Sequence, residues 1–220
     1  MHAKEILRTA LNNPKTVLNL GSGKIDEFFF HKVGQLVVNV DRSYRNADDT
    51  GEVELMHSHM MKGKTPSQGN FTWFVSMDIF DFLDSYKYKF DMIIANRIFE
   101  HKFYDSGSIG RMLSACHYLL SDKGKMYILV PNHYLLSNEI KRLETEEFNP
   151  EAFAKIVLEL NTEFHNTESD PHGSTWSPRL ARYYIESEGV WLIEEIYPEI
   201  KWDGRDCYMM IIVSKKKNSI

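Results

Sequence analysis

Two glycines and a later carboxylate have the spacing of a nucleotide-binding turn. Gly21 and Gly23 follow a short apolar run at residues 16–20, which predicts a strand buried on both faces. Because glycine has no Cβ, the backbone N–H groups of such a turn can lie directly against a ligand. About twenty residues later a second apolar run ends in Asp41, whose carboxylate can accept hydrogen bonds from ribose hydroxyls. The pattern indicates a Rossmann-like unit for a nucleotide-like cofactor, the alternative being a plain strand-to-helix turn with Asp41 as a helix cap.

Two histidines that follow predicted strands are candidates for a general base, because an unperturbed imidazole titrates near neutral pH. His101 comes shortly after the fourth strand, residues 90–96. A helix beginning at Arg97 would carry Glu100 and His101 about one turn beyond the strand tip. The alternative for His101 is a ring that forms structural hydrogen bonds or lines the ligand pocket. His133 follows the fifth strand and is the second candidate.

A histidine pair raises the question of a metal site. His57 and His59 would project from one side of a strand, which is a spacing that can hold a metal ion. The spacing fixes no third ligand. We therefore interpret the pair as part of a polar loop and expect no metal site.

Two irregular stretches, residues 43–70 and 164–177, interrupt the pattern of strands and helices. Long ordered loops in compact domains tend to be functional, so we expect both stretches to shape an acceptor pocket at the active edge of the sheet. Asp170, His172 and Trp176 are predicted to close over that pocket as a lid. The alternative is that all three are surface loop residues.

The rest of the chain alternates strands with helices. Strands are predicted at residues 16–20, 36–40, 71–76, 90–96, 126–130, 190–197 and 207–214. Helices are predicted at residues 3–13, through 28–30, and at 79–86, 109–120, 134–163 and 178–188. Residues 121–124 close the helix before the fifth strand, and Asp203-Gly204 joins the last two strands as an antiparallel pair. This order predicts an α/β, Rossmann-like three-layer sandwich, with a mostly parallel sheet and an antiparallel C-terminal hairpin, in a single domain over residues 1–220.

The composition is that of a soluble globular chain. A formal net charge of −5 disfavours a nucleic-acid-binding surface, and we interpret the run Lys215-Lys216-Lys217 as a solvated tail. Cys116 and Cys207 lie in apolar patterns and are expected to be buried thiols without a disulfide framework. No apolar run approaches membrane-spanning length. We therefore expect a cytoplasmic protein with no nucleic-acid or membrane partner.

A series of segments, in order along the chain, resembles the motifs of the class I S-adenosylmethionine-dependent methyltransferases, in their small-molecule branch. The segments are residues 17–23, Asp41, residues 77–79, residues 90–101 and residues 119–132. The predicted closing hairpin is similar to the reversed last strand of that family. There are two departures: Asn19 stands where the family usually has an acid, and Lys24-Ile25 stands where a third glycine is usual.

The resemblance implies S-adenosylmethionine as the cofactor. It places the adenine amino group on Asp78, the adenine ring against Met77 or Ile79, and the ribose on Asp41. The alternative for Asp78 is an N-cap of the helix that follows. The implied cofactor-binding residues are Asn19, Gly21, Ser22, Gly23, Asp41, Arg42, Met77, Asp78, Ile79, Asn96 and Arg97.

The resemblance also implies methyl transfer to a small or medium acceptor, such as a metabolite or a sugar. The Asn-Pro-Pro-aromatic signature of many DNA amino-methyltransferases is absent after the fourth strand, where residues 95–98 read Ala-Asn-Arg-Ile. One alternative is a catalytically silent cofactor-binding or interaction protein, suggested by Asn19 and by the missing third glycine. A nicotinamide-dependent dehydrogenase is disfavoured, because its glycine pattern is not completed.

Overall fold

A seven-stranded sheet runs through the centre of the molecule. The structure, a computed structural model, describes residues 1–21, 35–41, 71–75, 77–101, 106–136, 176–202 and 205–217. The strands are β1 (Thr16–Leu20), β2 (Leu36–Val40), β3 (Phe71–Val75), β4 (Phe90–Asn96), β5 (Leu120–Pro131), β6 (Trp191–Trp202) and β7 (Arg205–Lys215). The described helices are α1 (Ala3–Ala10), α2 (Ile79–Ser85), α3 (Ser106–Leu119), α4 (His133–Leu136) and α5 (Pro178–Ser187). The strand order is β3-β2-β1-β4-β5-β7-β6.

The first five strands are parallel, and β7 runs antiparallel to both β5 and β6. The register sets Leu18 opposite Val38 on one side and opposite Ile93 on the other. Parallel strands that are covered on both faces need apolar side chains along their whole length, which explains the nearly continuous runs of Val, Leu and Ile. The predicted parallel sheet with an antiparallel C-terminal hairpin is confirmed.

Helices cover both faces of this sheet and make the fold three-layered. On one face, Leu18 and Ile93 belong to a core that includes Phe82 of α2, Met112 of α3 and Ile185 of α5. On the other face, helix α1 packs against a second core, whose buried members include Ala3, Leu7, Leu11, Val17, Val37 and Met92. Neighbouring strand residues therefore alternate between two cores, and the carboxyl ends of β1 to β5 meet along one edge.

Strand β5 begins earlier than the sequence pattern predicts. Residues 121–124, which we expected to close the preceding helix, lie within β5, and Leu120 already pairs with Phe90. Gly124 packs tightly there, because a Cβ at this position would lie 2.9 Å from the carbonyl oxygen of Asp91. The glycine serves a close approach between two strands, and the predicted helix stop is wrong.

The C-terminal hairpin is longer than predicted. Strand β6 continues to Trp202, and strand β7 already begins at Arg205. Lys215 pairs with Trp191 inside the sheet, and only 14% of its side chain is exposed. The basic run that we expected as a solvated tail therefore begins within a strand. The predicted turn at Asp203-Gly204 lies outside the described residues.

Helix α5 begins and ends where the sequence predicts. The Ser177 hydroxyl accepts a hydrogen bond from the Leu180 N–H at 3.2 Å, and Pro178 takes the first helical position. Gly189 follows the helix with a φ of +70°, which is a left-handed C-terminal conformation. The helix predicted through residues 28–30 and most of the helix predicted at 134–163 lie outside the described residues. Within the ranges that the structure does describe, no helix combines the length and the apolar character needed to cross a membrane.

Both cysteines are free thiols. Burial raises the pKa of the Cys116 thiol to about 12, so this group stays protonated and unreactive near neutral pH. The expectation of a buried thiol is therefore confirmed for Cys116, whereas the Cys207 thiol is only partly buried.

The Asp91 carboxylate joins the start of β1 to β4. Its Oδ2 accepts hydrogen bonds from the N–H groups of Lys15 at 2.9 Å and Thr16 at 3.2 Å. The Asp91 N–H donates in return to the Thr16 hydroxyl at 3.0 Å. Hydrogen bonds to an ionised acceptor are stronger than neutral ones, so this one side chain holds two strand ends together.

We expect Asp91→Ala to lower the free energy of unfolding by about 2–3 kcal/mol, because two backbone N–H groups lose their charged acceptor. Asp91→Asn keeps one acceptor oxygen and should recover about half of that loss. Urea unfolding followed by circular dichroism measures both changes. The control is Asp81→Ala, which removes an exposed carboxylate and should cost less than about 0.5 kcal/mol. Equal losses for Asp91→Ala and Asp81→Ala would contradict the assignment.

Candidate functional site

The ends of adjacent parallel strands are joined by backbone hydrogen bonds that continue past the strands. The Gly21 N–H donates to the Val40 carbonyl oxygen at 2.9 Å, which ties the end of β1 to the end of β2. The Asp41 N–H donates to the Val75 carbonyl oxygen at 3.0 Å, which ties the end of β2 to the end of β3. Gly21 and Asp41 therefore lie along the same edge, as their spacing predicts.

Gly21 is required at its position for two independent reasons. Its φ of +67° is a left-handed conformation, which side-chain-bearing residues rarely adopt. A Cβ on Gly21 would lie 1.9 Å from Cγ2 of Ile98 and 3.1 Å from the Asn96 carbonyl oxygen. The turn after β1 is therefore packed against the turn after β4. Ser22, Gly23 and Arg42, the other residues predicted here, lie outside the described residues.

Arg97 reverses the chain at the end of β4. Its φ of +55° is left-handed, and its N–H donates to the Leu129 carbonyl oxygen of β5 at 2.9 Å. The helix predicted to begin at Arg97 is therefore wrong: a left-handed residue ends the strand, and a turn follows it. Ile98 and Phe99, the next two residues, are both buried. The burial of these apolar side chains therefore directs the turn towards the core.

A positive side chain lies at this edge with a buried carboxylate beside it. Nε of Arg97 is 3.9 Å from Oε1 of Glu100, and the guanidinium carbon lies 5.7 Å from the centre of the Tyr208 ring of β7. The Arg97 side chain is 35% exposed, whereas that of Glu100 is completely buried. Neither Glu100 nor Tyr208 was among the site residues predicted for the cofactor. The guanidinium is held between a carboxylate and an aromatic face, and both attract a cation.

Asn19 is buried within the sheet. Its Nδ2 donates to Oδ1 of Asn39 at 2.9 Å, and the two residues are register partners in β1 and β2. Sequence reasoning missed Asn39, although each of two apolar strands carries one asparagine at the same distance from its end. A neutral amide pair thus occupies the place where the methyltransferase motif usually has an acid.

The segment after β3 shows the helix-capping arrangement that was the alternative for Asp78. Oδ1 of Asp78 accepts a hydrogen bond from the Phe80 N–H at 2.9 Å, and the residue is exposed. Ile79 is buried, and Met77 packs against the core from a partly buried position. The role of these residues toward adenine stays a prediction.

His133 is buried, with 1% of its surface exposed, and is clamped to Trp176. The Trp176 N–H donates to Nδ1 of His133 at 3.0 Å, and the His133 N–H donates to the Trp176 carbonyl oxygen at 2.8 Å. Nδ1 of His133 also lies 3.3 Å from the Trp176 carbonyl oxygen, so the ring is held by the Trp176 backbone on both its polar groups. This arrangement is that of a structural histidine.

Trp176 is a core residue, so its predicted place in a lid is wrong. It is completely buried, and its ring meets Phe99 edge-on at 5.7 Å between centroids. Aromatic packing of this kind favours the interior over a loop. The other predicted lid residues, Asp170 and His172, lie outside the described residues.

His101 is partly buried directly after the β4 turn, where its N–H donates to the Ile98 carbonyl oxygen at 3.4 Å. It is close in sequence to Arg97 and Glu100 but is not carried by a helix. Among the described residues, no group of three or more His, Cys, Asp and Glu side chains has the arrangement of a metal site. His57 and His59 lie outside those residues.

No protein-family model matches this chain, and no curated protein matches its sequence. Solved structures do match. The 1,6-didemethyltoxoflavin N1-methyltransferase of Burkholderia thailandensis, solved with S-adenosylhomocysteine, superimposes with a TM-score of 0.58 over 98% of this chain and 77% of its own, at 14% identity. The fold is that of the S-adenosylmethionine-dependent methyltransferases. The resemblance inferred from the motifs is confirmed at this level.

Two further methyltransferase structures have the same fold. An S-adenosylmethionine-dependent methyltransferase from Methanosarcina mazei matches with a TM-score of 0.58 over 98% of this chain and 99% of its own, at 13% identity. The mitomycin 7-O-methyltransferase matches with a TM-score of 0.53 at 11% identity, and this chain spans 53% of its length. In the methyltransferase fold of this chain, Gly21, Asp41, Asn96 and Arg97 lie along one edge of the sheet.

We expect Gly21→Ala to destabilise the protein by about 3–5 kcal/mol, from the left-handed strain and from the clash with Ile98. Gly189→Ala is the matched control, because Gly189 has a φ of +70° and a Cβ added there would meet nothing within 4 Å. The control should cost only about 1–2 kcal/mol, the strain alone. Thermal and urea unfolding measure both variants. Similar losses in the two variants would show that the contact with the β4 turn contributes nothing.

Proposed function

We propose that this protein binds S-adenosylmethionine and transfers its methyl group to a small-molecule acceptor. The observation that carries the proposal is the packing of Gly21 against the β4 turn, which sets the backbone at the end of β1 beside Asn96. Bound S-adenosylmethionine supplies a methyl group already activated by its sulfonium centre. The task left to the protein is therefore to bind, align and exclude water.

The residues at this edge fit such a ligand. Asp41 follows β2 and Asp78 follows β3, and these strands are neighbours in the sheet. Our proposal assigns the ribose to Asp41 and the adenine to the segment Met77 to Ile79, with Asp78 accepting from the exocyclic amine. The exposure of Asp78 supports this, because its carboxylate can cap a helix with one oxygen and accept from a ligand with the other.

The amino-acid end of the cofactor is assigned to the end of β4. Oδ1 of Asn96 is buried and, within the described ranges, has no hydrogen-bond donor. A buried acceptor without a donor is costly, and the ammonium group of the ligand would satisfy it. The guanidinium of Arg97, held beside Glu100, is suited to the ligand carboxylate. Asn19, paired with Asn39, is assigned to supporting the turn.

The acceptor is proposed to be small. The related structures include enzymes named for toxoflavin and mitomycin methylation, which are compact organic molecules. A net charge of −5 supports a small acceptor over a nucleic acid. We propose that residues 43–70 and 164–175 shape the acceptor pocket. Release of S-adenosylhomocysteine from a library of metabolites would identify the acceptor.

The second candidate function is a cofactor-binding protein without catalysis. Two observations favour it: the neutral Asn19–Asn39 pair stands in the place of an acid, and His133 is locked in the core. A protein of this second kind would bind S-adenosylhomocysteine but would produce none of it in the metabolite screen. Binding and turnover, measured on one preparation, separate the two functions.

We expect calorimetry to detect S-adenosylhomocysteine binding, and Asp41→Ala to weaken it by about 1.5–3 kcal/mol because a charged acceptor for the ribose is lost. Asp81→Ala, at an exposed position of α2, is the control and should bind normally. Absence of heat with wild-type protein would overturn the proposal. Unchanged affinity in Asp41→Ala would overturn the assignment of the ribose.

We expect His101→Gln to reduce turnover by roughly 10²–10⁴ with cofactor affinity nearly unchanged, if His101 takes the acceptor proton. The control is His117→Gln, a change on α3. Both variants are assayed for S-adenosylhomocysteine release and for binding by calorimetry. A loss of binding or of thermal stability in His101→Gln, with normal turnover per bound enzyme, would identify a structural ring instead.

A further inference from the structure

Lysines collect at the edge of the sheet opposite Gly21. Lys89 precedes β4 and Lys123 lies near the start of β5, so both are at the amino ends of parallel strands. Strand β7 runs in the other direction and brings its last residues to the same edge. We call this surface the basic edge; its cations are Lys89, Lys123, Lys215, Lys216 and Lys217.

The charges of the basic edge are close enough to act on one another. Nζ of Lys215 lies 3.6 Å from Oδ1 of Asp122, which is fully exposed. The pKa of Lys89 is lowered by desolvation first and by the charge of Lys215 second, with Asp122 opposing. Desolvation likewise lowers the pKa of His117, and Lys215 and Lys89 lower it further. Lys89, Lys215 and Asp122 therefore lie within electrostatic reach of one another.

The basic edge is poorly neutralised. Asp122 pairs with Lys215, and in the described part of the chain no ion pair joins Lys123, Lys216 or Lys217 to a carboxylate. The chain as a whole carries a net charge of −5. A local excess of positive charge on an acidic protein produces a directed field that attracts an anionic partner.

Exposed apolar side chains lie among these lysines. Tyr118 is 55% exposed, and Nζ of Lys89 sits 4.1 Å from the centre of its ring. Val190 and Leu192 are 38% and 49% exposed. The Val190 carbonyl oxygen accepts from the Lys216 N–H at 2.9 Å, which places the apolar pair beside the lysine run.

We propose that the basic edge docks on an anionic phospholipid surface. Lysine heads would lie at the lipid phosphates, while Tyr118, Val190 and Leu192 would enter the interfacial layer. This combination of cations and apolar side chains is what peripheral membrane binding requires. Gly21 and Asp41, at the opposite edge, would face away from the lipid.

The residue types favour lipid over other anionic partners. The cations of the basic edge are all lysines, whereas arginine is preferred where phosphate or carboxylate is gripped by two parallel hydrogen bonds. Protein interfaces are depleted in lysine. A single-stranded nucleic acid would need several stacking platforms, and in this part of the described surface Tyr118 is the one exposed aromatic side chain. The expectation of no membrane partner rested on the absence of a membrane-spanning apolar run, which bears on spanning a bilayer and leaves docking on its surface open.

The test is cosedimentation with vesicles of phosphatidylglycerol and phosphatidylcholine in equal parts, compared with phosphatidylcholine alone. We expect binding to the anionic vesicles at low ionic strength, with loss as salt is added. Each lysine near the surface contributes about fivefold to the partition constant, so K123E/K216E/K217E should bind at least about 100-fold more weakly. Leu192→Ser should weaken binding severalfold with all charges intact.

The matched control makes the same charge change elsewhere, as R8E/R182E/K201E, at exposed positions. Circular dichroism of every variant confirms that the fold is kept. The control should keep at least about a third of the wild-type binding. Its three charges lie away from the basic edge, so most of their effect on the membrane is screened by salt. Absence of binding to anionic vesicles, or equal losses in the two triple variants, would overturn the proposal. Tighter binding of single-stranded RNA or polyglutamate than of vesicles would also overturn it.

Discussion

The contact between Gly21 and the turn after β4 is the constraint on which the candidate site depends. The left-handed φ of +67° sends the chain sharply away from β1, and the missing Cβ lets Ile98 take the space. The Gly21 N–H at the same time holds the Val40 carbonyl oxygen at the end of β2. Three strand ends are thereby fixed relative to one another.

Arg97 depends on this contact and adds charge to it. A left-handed conformation costs an arginine about 1–2 kcal/mol, so other interactions must compensate for it. The N–H bond to Leu129, the ring of Tyr208 and the buried carboxylate of Glu100 supply that compensation. The Arg97 Nε, at 3.9 Å, is the positive group beside this buried side chain. The turn therefore presents a guanidinium at the edge and keeps its counter-charge inside.

The sequence predicts those features that depend on residues close together in the chain, and it misses those that depend on contacts between distant residues. The first two strands were predictable because residues 17–20 and 36–40 are apolar apart from one asparagine each. The capping of α5 by Ser177 was predictable because it involves only a few neighbouring residues. The turn at Arg97 was not predictable, because burial of Ile98 and a bond to another strand override the local preference for helix. The burial of His133 against Trp176 was not predictable for the same reason. Its partner, Trp176, is distant in sequence, and no local pattern relates the two.

The reversal of β7 connects the two edges of the sheet. Because β7 is antiparallel to β5, its first half brings Tyr208 to the carboxyl edge, where the ring lies beneath Arg97. The same reversal carries Lys215 to the amino edge, toward Lys89. A parallel last strand would have exchanged these positions and set lysines beside Arg97, where like charges repel. The direction of one strand thus keeps the guanidinium beside an aromatic ring and a carboxylate, and gathers the lysines at the far edge.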